Sequence, residues 1–310
     1  MWKEQKEFDC IVVGGGPAGS TFARVAAEGG LSVLLLEKDR DIGVPVRCGE
    51  AVSDAGLRIF HEPDPRWIAS TINRIRLIAP NETVVEFDLQ QKGYILDRRI
   101  FDYDLAEYAS SAGAQIVTKA YVDDLIIEND RVVGVKGTHV GERFEKRAKI
   151  VVGADGVESR VGRWAGLKTT VKLKNMECGI QKTVTGIDVD EHMFEFYLSK
   201  KWAPGGYLWV FPKGKNKANI GVAISGYYAK DGKSAQKFLD EFLAWKYPKA
   251  SVLTTVVGGI PIDKTVKQMV KDGLMLVGDA AHTVNPVTGG GIVPGTVLYR
   301  DLTLPTEVEV

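Results

Sequence analysis

Residues 8–37 read FDCIVVGGGPAGSTFARVAAEGGLSVLLLE, and this stretch decides the fold. Phe8 to Val13 is a short apolar run that ends in glycines, the pattern of a strand buried on both faces of a parallel sheet. Pro17 to Glu28 predicts a helix with proline in its first turn, where its missing N–H costs nothing. Leu31 to Leu36 predicts a second buried strand, closed by Glu37. Strand, helix and strand in this order form a βαβ opening, which sets the class as α/β. Between the first strand and the helix, Gly14, Gly16 and Gly19 occupy the three glycine places of G-x-G-x-x-G, with Ala18 inside the motif. Gly14 permits the tight turn, Gly16 lets the backbone approach a pyrophosphate, and Gly19 lets the helix pack closely on the strand. The anion then lies at a helix N-terminus, where N–H groups and the dipole favour it. A glycine string alone is weak, because any strand-to-helix turn can use it. Here Glu37 ends the next strand, where a carboxylate can accept from both ribose hydroxyls and repels a 2′-phosphate, so the stretch reads as a dinucleotide fingerprint.

The rest of the chain extends this framework. Its 310 residues are long enough for about two domains, with 45 % apolar and 26 % charged residues. Forty basic and forty acidic side chains leave a formal net charge of zero, which argues against a global field for nucleic acid. Three cysteines, Cys10, Cys48 and Cys178, fit a reducing cytoplasm better than a disulfide framework. No run reaches the roughly 18 apolar residues of a spanning helix, and the charged start up to Phe8 does not read as a signal peptide. The expected location is therefore cytoplasmic, with any membrane contact peripheral, at the inner face.

Helical spacing of Phe101, Leu105, Tyr108 and Ala112 predicts a helix over 100–112, followed by strands at 115–117, 121–127, 131–135 and 149–153. From Met176 the pattern changes to antiparallel-type strands at 178–185, 194–198, 207–211 and 218–224. A helix near 234–245, a strand near 254–258 and a buried strand at 274–277 complete the reading. The expected organisation is a discontinuous Rossmann-like domain, 1–70, 95–165 and 258–310, interrupted by a mostly antiparallel β-sheet substrate domain, 71–94 and 166–257.

Two further motifs follow buried strands: Ala154-Asp155-Gly156, and Gly278-Asp279-Ala280-Ala281-His282. Both resemble the p-hydroxybenzoate-hydroxylase class of flavoproteins, and this resemblance makes FAD the expected cofactor. It implies that Asp279 accepts a hydrogen bond from the ribityl chain and that Asp155 lies near the pyrophosphate path. For Asp155 an ordinary turn-capping role stays open beside that reading. Arg98, just before the helix at 100–112, matches the arginine that reaches the flavin in this class. Val122 falls where a backbone contact to adenine is expected. Gly291 and Ile292, in the run Thr288-Gly-Gly-Gly-Ile292, are expected to turn backbone N–H groups to the flavin pyrimidine, where they stabilise negative charge. His282 reads as structural, and nothing has metal-ligand spacing.

Two signatures narrow the class. Pro45-Val-Arg-Cys48-Gly49-Glu50-Ala51 is similar to the flavin-facing loop of archaeal-type geranylgeranyl reductases, which implies that Cys48, Gly49 and Ala51 lie at the cofactor. Gly206-Tyr207-Leu-Trp209-Val-Phe211-Pro-Lys213-Gly214 matches that family's YxWxFPKG motif in full. The resemblance spans about Phe8 to Ile292. Tyr207, Trp209 and Phe211 are two apart and share one face of a strand. Three such rings are often plain core; beside this motif they read, with Lys213, as a wall for an isoprenoid chain.

The resemblance implies saturation of C=C bonds in geranylgeranyl chains of archaeal digeranylgeranylglycerophospholipids, with an external donor of the ferredoxin, NAD(P)H or deazaflavin type. An isolated alkene has no carbonyl to stabilise a carbanion, so hydride addition needs a proton at the other carbon. Cys48 and Glu50 are the expected suppliers, with packing for Cys48 and a plain loop carboxylate for Glu50 as the alternatives. A flavin monooxygenase and a truncated, non-catalytic FAD- and lipid-binding remnant are the rival functions. The second rests on an expected early stop: Val293-Pro294-Gly295 predicts a helix break, and Tyr299 to Val310 an extended polar tail where the family continues.

Overall fold

The computed structural model describes residues 2–297. Along the chain these form β1 (Glu7–Val13), α1 (Pro17–Glu28), β2 (Val33–Leu36), β3 (Ala51–Ser53), α2 (Asp54–Arg58), β4 (Ile68–Ile78), β5 (Val84–Leu96) and α3 (Arg98–Ser111). Next come β6 (Gln115–Val117), β7 (Ala120–Glu128), β8 (Arg131–His139), β9 (Glu142–Gly153) and α4 (Arg160–Trp164). Then follow β10 (Met176–Thr185), β11 (Met193–Tyr197), β12 (Leu208–Pro212), β13 (Lys217–Ser225), α5 (Ala235–Lys246), β14 (Ser251–Pro261), β15 (Val270–Lys271), β16 (Leu274–Leu276) and α6 (Ile292–Val297).

Two compact units share these elements. Of the described residues, the first takes those up to Val44, Arg99–Thr170, and those from Lys264 to Val297; the second takes Pro45–Arg98 and Val171–Asp263. Residues 45–70, read above with the nucleotide-binding part, fall in the second unit because β3 and β4 both pair with β5.

In the first unit the strand order is β15-β16-β9-β1-β2-β6, with the β7–β8 hairpin joined to β9. β1 runs parallel to β2 on one side and to β9 on the other, with Val13 level with both Leu36 and Gly153. β16 continues the parallel set with Leu276 beside Gly153. Four strands therefore end at one level, and the next residues are Gly14, Glu37, Ala154-Asp155 and Val277-Gly278-Asp279. Their continuous apolar sequences follow from burial on both faces: Ile11, Val12, Leu34, Leu35, Val151 and Val152 are all inaccessible.

In the second unit the order is β14-β10-β13-β12-β11-β4-β5-β3, antiparallel except for β11 beside β4. One face packs Leu208, Val210, Ile220 and Val222 against Leu239 and Phe242 of α5. The opposite face carries Phe194, Trp209, Phe211 and Ala223, with Ile72 and Ile95. Alternation along β12 explains both faces.

One expectation fails. Val293-Pro294-Gly295 does not break the chain but lies inside α6. Pro294 falls in the first turn, where its N–H has no intrahelical partner to lose, and the Gly295 N–H still donates to the Gly291 carbonyl at 3.0 Å. The expected tail, Tyr299 to Val310, lies outside the described residues. No helix among the described residues is long and apolar enough to cross a membrane.

Candidate functional site

The glycines of the fingerprint are held there for different reasons. Gly14 has φ +109°, and a Cβ on it would sit 2.3 Å from the Ala154 carbonyl oxygen. A Cβ on Gly19 would sit 2.0 Å from the Gly14 oxygen, so helix α1 could not approach β1. Gly16 is different: a Cβ there meets nothing within 4 Å. Internal packing does not demand glycine at that position, but a ligand approaching the backbone at the start of α1 would. Ala18, in the first turn, packs against the core beside β1. Glu37 accepts from the Gly15 N–H at 2.7 Å through Oε2 and from the Asp39 N–H at 2.8 Å through Oε1. Its carboxylate is thereby aimed at the glycine turn, and each oxygen keeps a lone pair for a ribose hydroxyl.

Asp155 shows the turn-capping role with one of its two oxygens. Its Oδ2 accepts from the Val161 N–H at 3.0 Å, within α4. Its Oδ1 is buried with no partner, and burial pushes the carboxyl above the ordinary range. An orphaned buried acceptor at the carboxyl end of a parallel strand fits a ligand donor. A Cβ on Gly291 would sit 2.9 Å from Asp279 Oδ1, so that glycine keeps the backbone close to the carboxylate. The Gly289 and Gly290 N–H groups are used inside their own loop, on Asn285 and Thr288, and those of Gly291 and Ile292 open α6. Val122 is a buried ladder residue of β7, opposite Gly137. His282 sits 3.0 Å from the Thr169 carbonyl, a structural contact.

The second unit holds the remaining candidates in one cluster. Tyr207 and Trp209 meet edge to face at 5.8 Å, Trp209 and Phe211 lie 6.1 Å apart, and Phe194 and Phe196 of β11 extend the same face. Trp209 fits only because β13 has Gly221 opposite it; a Cβ there would lie 2.2 Å from the indole. Gly49 crosses above Phe211, where a Cβ would sit only 3.0 Å from the ring. Gln181 of β10 ties the loop to the wall, donating to the Cys48 carbonyl at 2.8 Å and accepting from Trp209 Nε1 at 3.0 Å. Ala51 begins β3 beside Ile95.

Glu50 is 3 % exposed and adopts φ +70°. Its Oε2 accepts from Lys213 Nζ at 2.7 Å and from Asn219 Nδ2, and its Oε1 from the Arg98 N–H at 2.8 Å. Thr183 in turn donates to Asn219 Oδ1 at 2.7 Å. Three donors aimed at it make Glu50 an acceptor that fixes the loop, as its loop-carboxylate alternative has it. Lys213 faces inward on the same contact. Cys48 accepts from the Glu50 N–H at 3.2 Å; burial pushes its thiol up, and Arg98 partly opposes this. Gln181 and Asn219 were missed in the sequence. For Asn219 the available signal was a polar residue inside the apolar run of β13, which is costly unless it is bonded; β10 is too polar throughout to single out Gln181.

Comparison with known proteins bears on both clusters. Residues 175–260 match the geranylgeranyl reductase catalytic domain, and residues 12–74 an NAD(P)-binding Rossmann-like domain. A digeranylgeranylglycerophospholipid reductase of Methanocella arvoryzae is 48 % identical over 93 % of this chain and 74 % of the relative. The chain belongs to the geranylgeranyl reductase family. A crystal structure of a geranylgeranyl bacteriochlorophyll reductase-like protein from Thermoplasma acidophilum, 39 % identical, superposes with TM-score 0.90 over 94 % of this chain and 76 % of that one. A flavin-dependent brominase, 19 % identical over 94 % of this chain and 76 % of its own, reaches TM-score 0.76 and shares the fold alone. Among the described residues no group of three or more His, Cys, Asp or Glu is gathered to hold a metal.

Proposed function

We propose that this geranylgeranyl reductase family chain is an FAD-dependent oxidoreductase that saturates C=C bonds of geranylgeranyl chains in digeranylgeranylglycerophospholipids. The observation that carries the reading is the aromatic face of β11 and β12, which lies inside the stretch matching the catalytic domain and is crossed by Gly49. A polyprenyl chain offers only alkyl and alkene surface, and such a face holds it by dispersion and the release of water.

The residues of the first unit fit FAD. Gly16 and the opening turn of α1 would take the pyrophosphate, Glu37 the ribose, Asp155 Oδ1 a donor along the nucleotide path, Asp279 the ribityl chain, and the Gly291 and Ile292 N–H groups the flavin pyrimidine. Reduced FAD supplies a hydride to one alkene carbon when it is bound. Phe194, Trp209 and Phe211 orient the chain and exclude water, so that the reacting bond is held in one pose. Gln181, Asn219 and Lys213 keep the Cys48–Glu50 loop rigid above that face. Electrons enter from an external donor of the ferredoxin, nicotinamide or deazaflavin class, and contact with the lipid surface is peripheral.

The test is direct. Protein loaded with FAD and reduced chemically without air is mixed with the unsaturated phospholipid, and products are read by mass spectrometry. A gain of one H2 per reduced bond is expected. Oxygen insertion, or unchanged lipid with a bleached flavin, overturns the reading.

A further inference from the structure

Resting on the reductase reading above, we infer that Glu177 is the acid that protonates the alkene. Glu50 is committed as an acceptor to Lys213, Asn219 and Arg98, and Glu177 is a second buried carboxyl in the same unit. Glu177 lies on β10, level with Ser225 of β13 and Ile260 of β14, and so sits inside the sheet rather than at its edge. Strand alternation puts Glu177, Gly179 and Gln181 on one face. Gln181 identifies that face, because its side chain reaches both Trp209 and the Cys48 carbonyl. Glu177 therefore faces the same side as the aromatic wall.

Two glycines keep its surroundings open. A Cβ on Gly206 would strike the Ala223 carbonyl oxygen at 2.2 Å and sit 3.2 Å from Glu177 Oε1, so the residue before the YxWxFPKG motif has no side chain beside the carboxyl. A Cβ on Gly179 would make only ordinary contacts, at 3.5 Å or more. Packing alone does not require glycine there, and its absence of a side chain leaves space over β10 between Glu177 and Gln181.

Glu177 is 7 % exposed, and its carboxyl makes no hydrogen bond or ion pair among the described residues. Tyr207 feels it: burial, then Glu177, then Cys48 push the Tyr207 hydroxyl up to about 12. No cation acts on Glu177 to hold it charged; burial alone moves it. Burial accordingly raises its carboxyl above the ordinary range. A carboxyl that is buried, unpaired and biased towards its neutral form beside an apolar wall has the properties of a general acid.

The step balances. One alkene carbon takes a hydride from reduced FAD, while the other takes the proton of the Glu177 O–H. The O–H bond breaks, the π pair becomes the new C–H bond, and Glu177 is left as a carboxylate that regains a proton from water. The flavin leaves oxidised and is reduced again by the external donor.

The test uses the FAD-loaded full chain with dithionite as reductant and the geranylgeranyl phospholipid as substrate. Glu177→Gln should lower kcat by about 10²- to 10⁴-fold, with FAD content and KM unchanged, and should abolish the alkaline limb of the kcat–pH profile. Glu177→Asp should retain that limb at a reduced rate, which guards against a variant that merely misfolds. A second readout needs no turnover: the wild-type infrared spectrum near neutral pH should contain the C=O stretch of a protonated carboxyl that Glu177→Gln removes. If wild type reduces the lipid and Glu177→Gln does so equally fast with the same pH profile, or if that band is absent, the assignment of Glu177 is wrong while the reductase reading stands. If wild type itself leaves the lipid unsaturated, the reductase reading falls and the assignment with it.

Discussion

Lys213 Nζ lies 2.7 Å from Glu50 Oε2, and both side chains are almost wholly removed from water. The lysine that closes the YxWxFPKG segment thus acts inside the protein, joining β12 to the loop that carries Cys48. Removing one partner of a buried pair leaves an uncompensated charge, and typically costs about 3–5 kcal/mol. Lys213→Met should therefore destabilise strongly, and Lys213→Met combined with Glu50→Gln should recover most of the loss. Urea unfolding followed by tryptophan fluorescence checks this; a single variant as stable as the parent would show that the pair contributes nothing.

Glycines 14 and 16 should fail in opposite ways. Gly14→Ala forces a Cβ to within 2.3 Å of the Ala154 oxygen at φ +109° and should lower the melting temperature of the cofactor-free protein. Gly16→Ala meets no atom of the chain and should leave that temperature unchanged, while weakening FAD binding at least tenfold (about 1.4 kcal/mol). Glu37→Ala should weaken it as well, because Gly15 and Asp39 lose their common acceptor and the ribose loses its own. Flavin fluorescence titration against calorimetric melting separates the effects. Equal FAD affinity in Gly16→Ala would reduce the fingerprint to a turn.

Burial periodicity explains how much of this was readable. β1, α1 and β2 were legible because each obeys one strong local rule, and the aromatic face was legible because residues two apart in a strand must share a side. The β4–β5 hairpin was passed over: β5 exposes Val84, Val85 and Phe87 and runs through polar residues, so neither a buried run nor clean alternation marks it. The role of Glu50 was not legible either. Its donors come from residues 98, 213 and 219, and no spacing rule links positions that distant. Pro294 misled because its position in the first turn, which decides whether proline is tolerated, depends on where the helix starts.

Acid stability should respond to Asp9. The Ser32 N–H, then Lys149, then the Ser32 hydroxyl hold its carboxyl down at about 2, below the ordinary 3.8. The folded value is the lower one, so the contribution is present in full above the unfolded value. It is lost as pH falls from about 3.8 towards 2. Asp9→Asn should be less stable than wild type near pH 6, and the gap should close across that window. Urea midpoints measured from pH 6 to 2 decide it; a constant gap would mean that Asp9 contributes through something other than its charge.

The aromatic wall offers the sharpest test of lipid handling, because Gly221 can be changed without touching a ring. In Gly221→Ala the new Cβ would fall 2.2 Å from Trp209 Cζ2, with the Ile180 carbonyl 2.9 Å away. β13 is paired on both sides and cannot retreat, so the indole must swing out. That breaks the bond from Trp209 Nε1 to Gln181, and with it the brace on the Cys48 carbonyl. Trp209→Ala reaches the same end by leaving a cavity, at about 3–5 kcal/mol. Trp209→Phe keeps an apolar ring and loses only the N–H. Lipid saturation should therefore fall severely in Gly221→Ala and Trp209→Ala, and only partly in Trp209→Phe. FAD content should be unchanged in all three, since the residues that would hold the pyrophosphate, the ribose and the ribityl chain lie in the first unit. Mass spectrometry of the lipid and flavin absorbance of the same samples give both numbers, and full saturation by Gly221→Ala would mean that the aromatic face is core and that the isoprenoid chain binds elsewhere.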